Sequence, residues 1–185
     1  TQFRRLSSDA QYGMSSSSRM VPVTDVCAST PLTTRVRLTV KVSSGSTCAS
    51  PQIVTETLYA LAIAADPPFV PTEIHLITTS EGAERARLAL LSDKLGWFHR
   101  LRHDYALPPI TAHIHVLRDA AGQAMSDIRS PQDNLACADY ITEQVRTLTA
   151  APDTALHVSI AGGRKTMGFF LGYALSLFGR PQDRL

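Results

Sequence analysis

Residues 162–166 read Gly-Gly-Arg-Lys-Thr and follow the apolar run Leu156-His157-Val158-Ser159-Ile160-Ala161. Two glycines let a backbone turn where side chains would resist, and they let a ligand come close to the main chain. A helix opening at about Thr166 would leave its first N–H groups without partners, at the positive end of the helix dipole. Arg164 can fork two hydrogen bonds onto a phosphate, and Lys165 adds a compact charge. Cations placed there oppose the dipole by a few tenths of a kcal/mol to about one. Met167 to Phe178 supplies no carboxylate to relieve them. A bound phosphate would offset that cost, so Gly162, Gly163, Arg164, Lys165 and Thr166 form the first candidate site. The plainer alternative is a solvated Arg-Lys pair on a turn. The P-loop pattern GxxxxGK[ST] ends correctly in Lys165-Thr166 but meets Arg164 where its second glycine belongs, and GxGxxG is absent.

A second stretch, Ser46-Thr47-Cys48-Ala49-Ser50-Pro51-Gln52, offers hydroxyls and an amide where a helix opens. Ser50 and Gln52 could meet a ligand there, though Ser-Pro is also an ordinary helix start. Thr78 and Thr79 end a strand in the same layer, with weak specificity. Arg129, just before another helix start, is either a further phosphate cation or a surface arginine. His113 and His115 share a strand face at a spacing that can bind metal. No carboxylate or thiol accompanies them at a ligand spacing, so hydrogen-bonded or core histidine is the better reading and no metal is expected. No Ser-His-Asp order or Cys-His pair points to acyl chemistry.

These residues need elements to hold them. Residues 1 to 33 are rich in Ser and Thr, with little periodicity, and read as a disordered tail; residues 34–185 read as one domain. Arg35 to Val42 alternates as a strand with one wet face should. Ser50-Pro51 opens a helix that Asp66-Pro67-Pro68 ends. Glu73 to Thr79 reads as a strand, and Thr79 or Ser80 can cap a helix that breaks near Gly96. His113 to Leu117 is a third strand, Ser130-Pro131 starts another helix, Leu156 to Ala161 is a fourth strand, and Thr166 to Phe178 is the last helix. Strands alternating with helices predict an α/β, Rossmann-like, doubly wound and mostly parallel sheet with helices on both faces. Ligands of such sheets sit beyond the carboxyl ends of the strands, where residues 43–50, 78–82, 118–130 and 161–165 gather. The order of the strands is not readable from this pattern.

Composition narrows the partners. A chain of 185 residues, 44% hydrophobic and 18% charged, suits one domain with a proper core. Its net charge of +2 argues against a broad duplex-binding face. Cys27, Cys48 and Cys137 lack CxxC spacing and read as reduced thiols of a cytoplasmic protein. No run approaches the roughly 18 apolar residues of a membrane span.

Two motifs in order, Ser50-Pro51-Gln52-Ile53-Val54-Thr55-Glu56 with the Glu73 to Thr79 strand, and Leu156 to Gly168, resemble the CRISPR-associated Rossmann fold (CARF) family. The likeness is greater to its stand-alone ring nuclease branch and covers about residues 49 to 185. The resemblance implies a cytoplasmic homodimer that binds a cyclic oligoadenylate, usually cyclic tetra-adenylate, across its two-fold axis. It further implies cleavage without metal or cofactor: a ribose 2′-hydroxyl attacks the adjacent phosphate, leaving linear di-adenylate with a 2′,3′-cyclic phosphate and switching off type III CRISPR signalling. The alternative is a non-catalytic sensor controlling a partner or an effector domain. Carried over, Lys165 matches the catalytic lysine and Ser50 the serine that orients the ribose hydroxyl or scissile phosphate. Gly162, Gly163, Arg164 and Thr166 match the phosphate cradle, with Gln52 beside it. Two departures stand out: Ser43 to Ala49 is longer than the family's short Gly-containing turn, and a further core strand is expected after Arg180-Pro181-Gln182-Asp183-Arg184-Leu185, so the sheet is expected to be C-terminally truncated.

Overall fold

A computed structural model describes residues 35–41, 52–93 and 96–185. The expected tail at 1–33 and the candidate Ser50 lie outside the described residues. Four strands, β1 (Arg35–Lys41), β2 (Glu73–Thr78), β3 (Thr111–Val116) and β4 (Thr154–Ser159), form one sheet in the order β3-β2-β1-β4. Every pairing is parallel. Among the described residues, five α-helices accompany them: α1 (Gln52–Tyr59), α2 (Ser80–Ala89), α3 (Trp97–Asp104), α4 (Pro131–Leu148) and α5 (Lys165–Phe178). A wider π turn, Ala60–Ala64, prolongs α1. The expected α/β Rossmann-like architecture is the observed one.

Local chemistry accounts for most boundaries. Thr79 caps α2, its hydroxyl accepting from the Gly82 N–H at 3.4 Å. Gly96 precedes α3 and supplies the break. Ser130 closes a reciprocal box on α4: its hydroxyl accepts from the Asp133 N–H, and the Asp133 carboxylate accepts from the Ser130 N–H. The fourth strand runs two residues earlier than its apolar run predicts, because Thr154 is buried and bonds back to Ala151 O.

Both faces of the sheet are covered. Leu38, Val40, Ile74 and Leu76 pack with α1, α2 and α3 through Val54, Leu58, Ala86 and Phe98. Ile77, Leu156 and Val158 pack with α4 and α5 through Ile141, Val145, Met167 and Leu171. This corrects the expectation of a wet face on β1. In the parallel register Arg37 lies beside Leu156 and Thr39 beside Val158, so both point to the α4–α5 side. Thr39 is fully buried, and Arg37 bonds Glu73 at 3.0 Å and Leu148 O at 3.0 Å. A strand central in its sheet has no solvent face to give its polar side chains, which are instead paired or enclosed.

The C-terminal residues brace the outer edge of β4. Arg184 exchanges backbone hydrogen bonds with Leu156 and Val158, making a parallel bridge opposite His157. Asp183, its side chain 1% exposed, accepts from the Leu156 N–H at 2.8 Å and from the Arg180 guanidinium.

Candidate functional site

The chain adds β2 and then β3 to one side of β1, and returns to place β4 on the other. The order therefore reverses between β1 and β4. At such a switch point the following connections leave to opposite faces and open a crevice beyond the strand carboxyl ends. Here α1 follows β1 on one face and α5 follows β4 on the other. The Gly162–Thr166 turn is one wall of that crevice.

Gly162 and Gly163 both adopt left-handed backbone, with φ of +66° and +62°. A side chain at 162 would also stand 3.1 Å from Cγ1 of Ile53, in the first turn of α1. The turn thus rests on the start of α1 through Ile53; Gln52, exposed at the head of that helix, is the preceding residue. Lys165 is the first residue of α5, and Lys165 and Thr166 are both exposed. The N-cap residue of α5, Arg164, makes no side-chain capping hydrogen bond, and the first turn of the helix holds no acidic residue. Lys165 takes part in no salt bridge among the described residues.

Arg164 behaves differently. It has no acidic partner nearby in sequence, yet it forms an ion pair with Asp127, 37 residues earlier. Arg129 approaches the same carboxylate at 3.3 Å, so Asp127 gathers both predicted arginines. Burial opposes the charge of Asp127, but the Ile128 N–H and the two guanidiniums outweigh it and hold the carboxyl below its ordinary range. Asp127 is the residue that sequence reading passed over; its only signal was a carboxylate just ahead of a capped helix. Thr78 and Thr79 end β2 buried, Thr79 serving as the α2 cap and Thr78 with its hydroxyl enclosed beside Gly82. The structure therefore sets Gly162, Gly163, Lys165 and Thr166 against the start of α1, puts Gln52 at the head of that helix on the wall of a neighbouring groove, anchors Arg164 and Arg129 on Asp127, and places Thr78 and Thr79 below the surface.

A groove of about 520 Å³ lies between α1, α2 and α3, lined by Thr55, Glu56, Tyr59, Leu90, Trp97 and Leu101, with Gln52 also on its wall. The glycine turn and the start of α5 offer backbone without side chains, the first N–H groups of a helix and the exposed Lys165 ammonium, a combination suited to phosphate oxygens.

The histidines collect elsewhere. His75 Nδ1 lies 2.9 Å from His115 Nε2, and the His75 ring stacks on His113 at 4.9 Å. Burial, then the neighbouring imidazoles, push His75 down to about 4. His157 points to the other face, against Phe69. Cys137 is buried, which pushes its thiol up to about 11. Among the described residues no helix is long and apolar enough to cross a membrane.

With this geometry in place, comparison with known families is informative. The model of the family described as CRISPR-associated protein NE0113 matches residues 50–185, which takes in the whole of the corner from Gln52 to Thr166. No curated protein matches the chain.

Proposed function

Because the chain belongs to the CRISPR-associated protein NE0113 family, we propose that the β1–β4 crevice binds a cyclic oligoadenylate, with cyclic tetra-adenylate the expected ring, and cleaves it. The observation that carries this reading is the left-handed Gly162–Gly163 turn seated on the first turn of α1, with Lys165 opening α5 beside it. Two cradle glycines, a helix start and an ammonium meet at the switch point, and the resemblance to ring nucleases assigns the phosphate of the ligand to this turn.

The reaction asks little of the protein beyond positioning and charge. The ribose 2′-oxygen forms a bond to the adjacent phosphorus and loses its proton. The bond from phosphorus to the 5′-oxygen of the next nucleotide breaks, and that oxygen takes up a proton. Lys165 stabilises the extra negative charge on the five-coordinate phosphorus or delivers the proton to the leaving oxygen. Gly162, Gly163 and Thr166 hold the non-bridging oxygens with Gln52 beside them, and Ser50 orients the ribose hydroxyl or the scissile phosphate. Two such cuts on opposite sides of a four-membered ring yield two molecules of di-adenylate.

A two-fold dimer supplies both cuts. Lys165, Phe169, Tyr173 and Leu177 recur at intervals of four along α5, and the three apolar members are 66%, 56% and 55% exposed. An apolar stripe headed by the lysine is the natural seam for a second copy, and it would bring two Lys165 ammonium groups to one ligand.

The test is incubation of the protein with labelled cyclic tetra-adenylate in EDTA. Di-adenylate ending in a 2′,3′-cyclic phosphate is expected. Tight binding without turnover would leave a sensor; failure to bind any cyclic oligoadenylate would remove the reading.

A further inference from the structure

The α4–α5 side of β2 and β3 carries a row of polar side chains that the crevice does not use. The parallel register sets Glu73 beside Thr111 and His75 beside His113, so strands nearly forty residues apart in sequence bring a carboxylate and imidazoles together. Donor atoms of Glu73, His75 and His113 all lie within 4.8 Å of one another. His75 Nε2 faces the Glu73 carboxylate at 3.4 Å, while its Nδ1 faces His115 Nε2 at 2.9 Å. His113 is exposed on the edge strand β3, and its ring nitrogens make no hydrogen bond among the described residues.

The geometry points to a binding site for one divalent transition-metal ion of the zinc class, held by Glu73, His75 and His113, with an open position on the exposed side of β3. Two imidazoles and a carboxylate are a donor set that zinc accepts, with ligand bonds of about 2.0–2.2 Å. Donors around such an ion stand roughly 3.3 Å apart, so the three side chains must close inward by about an ångström, which the exposed His113 can do by rotation. With the ion on His75 Nε2, the ring keeps its proton on Nδ1 and donates it to His115 Nε2. That is the outer hydrogen bond that orients a ligating histidine, with His115 as acceptor. Arg37, 3.0 Å from the Glu73 carboxylate, fixes that group from the other side and limits affinity by its charge. The row begins at Glu73, the first residue of β2, whereas the Gly162 turn follows the carboxyl end of β4. Metal at one place and cleavage at the other are therefore separable.

Calorimetric titration of the EDTA-stripped full chain with Zn²⁺, with Co²⁺ absorption spectra as a measure of coordination, tests this. One ion per chain is expected. Glu73→Gln and His113→Ala should each weaken it at least tenfold, and His115→Phe by roughly 10–100-fold as an outer partner. His99 and His103 are exposed one turn apart on α3 and are a competing chelate, so the His99→Ala/His103→Ala double variant must bind as the parent does. Absence of a saturable site, or binding that survives His113→Ala, overturns the assignment. EDTA should leave ring cleavage unchanged whichever result is obtained, so the two readings stand or fall separately.

Discussion

Gly162 meets two obstacles to substitution at once: its φ of +66°, and the Ile53 side chain 3.1 Å from where a Cβ would stand. Gly162→Ala is expected to destabilise the domain by about 1–2 kcal/mol and to weaken ring binding, read from urea unfolding and from titration with cyclic tetra-adenylate. Lys165 should give the opposite pattern. It is exposed and forms no salt bridge among the described residues, so Lys165→Ala should move stability by no more than about 0.5 kcal/mol while cleavage falls to background. Turnover unchanged in that variant would take Lys165 out of the mechanism. The contrast with Arg164 is a matter of partners. Both cations follow the same glycines, but among the described residues only Arg164 faces a carboxylate, and that carboxylate comes from a loop between β3 and α4.

At the scale of elements, α5 carries two duties. One face enters the core through Met167, Leu171 and Ala174; another leaves Phe169 and Tyr173 stacked on each other and exposed. If that stripe joins two copies, Phe169→Glu with Tyr173→Glu should shift the protein to monomer in sedimentation and reduce cleavage more than tenfold, leaving the helix itself intact. A dimer that persists with full activity would place the seam elsewhere. Boundaries at this scale were largely legible, because caps are local: Ser130-Pro131 with Asp133, Thr79 before α2, and Gly96 before α3 each act within three or four residues. The start of β4 was less so, since the groups that hold Thr154 include the Leu148 carbonyl at the end of α4 and the Arg180 guanidinium, 26 residues on.

Across the whole molecule, the C-terminal brace ties sheet and chain end together. Asp183 is buried, which opposes its charge, but Arg180 and the Leu156 N–H prevail and hold its carboxyl below the ordinary value. A depressed carboxyl stabilises the fold above its unfolded pKa of about 3.9 and loses that contribution as pH falls through its lower folded value. Asp183→Asn should therefore cost about 3 kcal/mol at neutral pH and flatten the acid limb of stability below about pH 4, seen in urea unfolding across a pH series. An acid limb identical to the parent's would show that the brace contributes little.

By itself the sequence determined the alternation of strands and helices, the glycine turn with its two cations, and membership in a CRISPR-associated family, since each rests on residues close together along the chain. Tertiary structure alone decided the strand order, and with it that the switch point falls between β1 and β4, beside the glycine turn. It also joined Asp127 to Arg164 and Glu73 to the histidines of β3. Those meetings depend on parallel register and crossover connections, which bring distant residues together without leaving a local pattern to read.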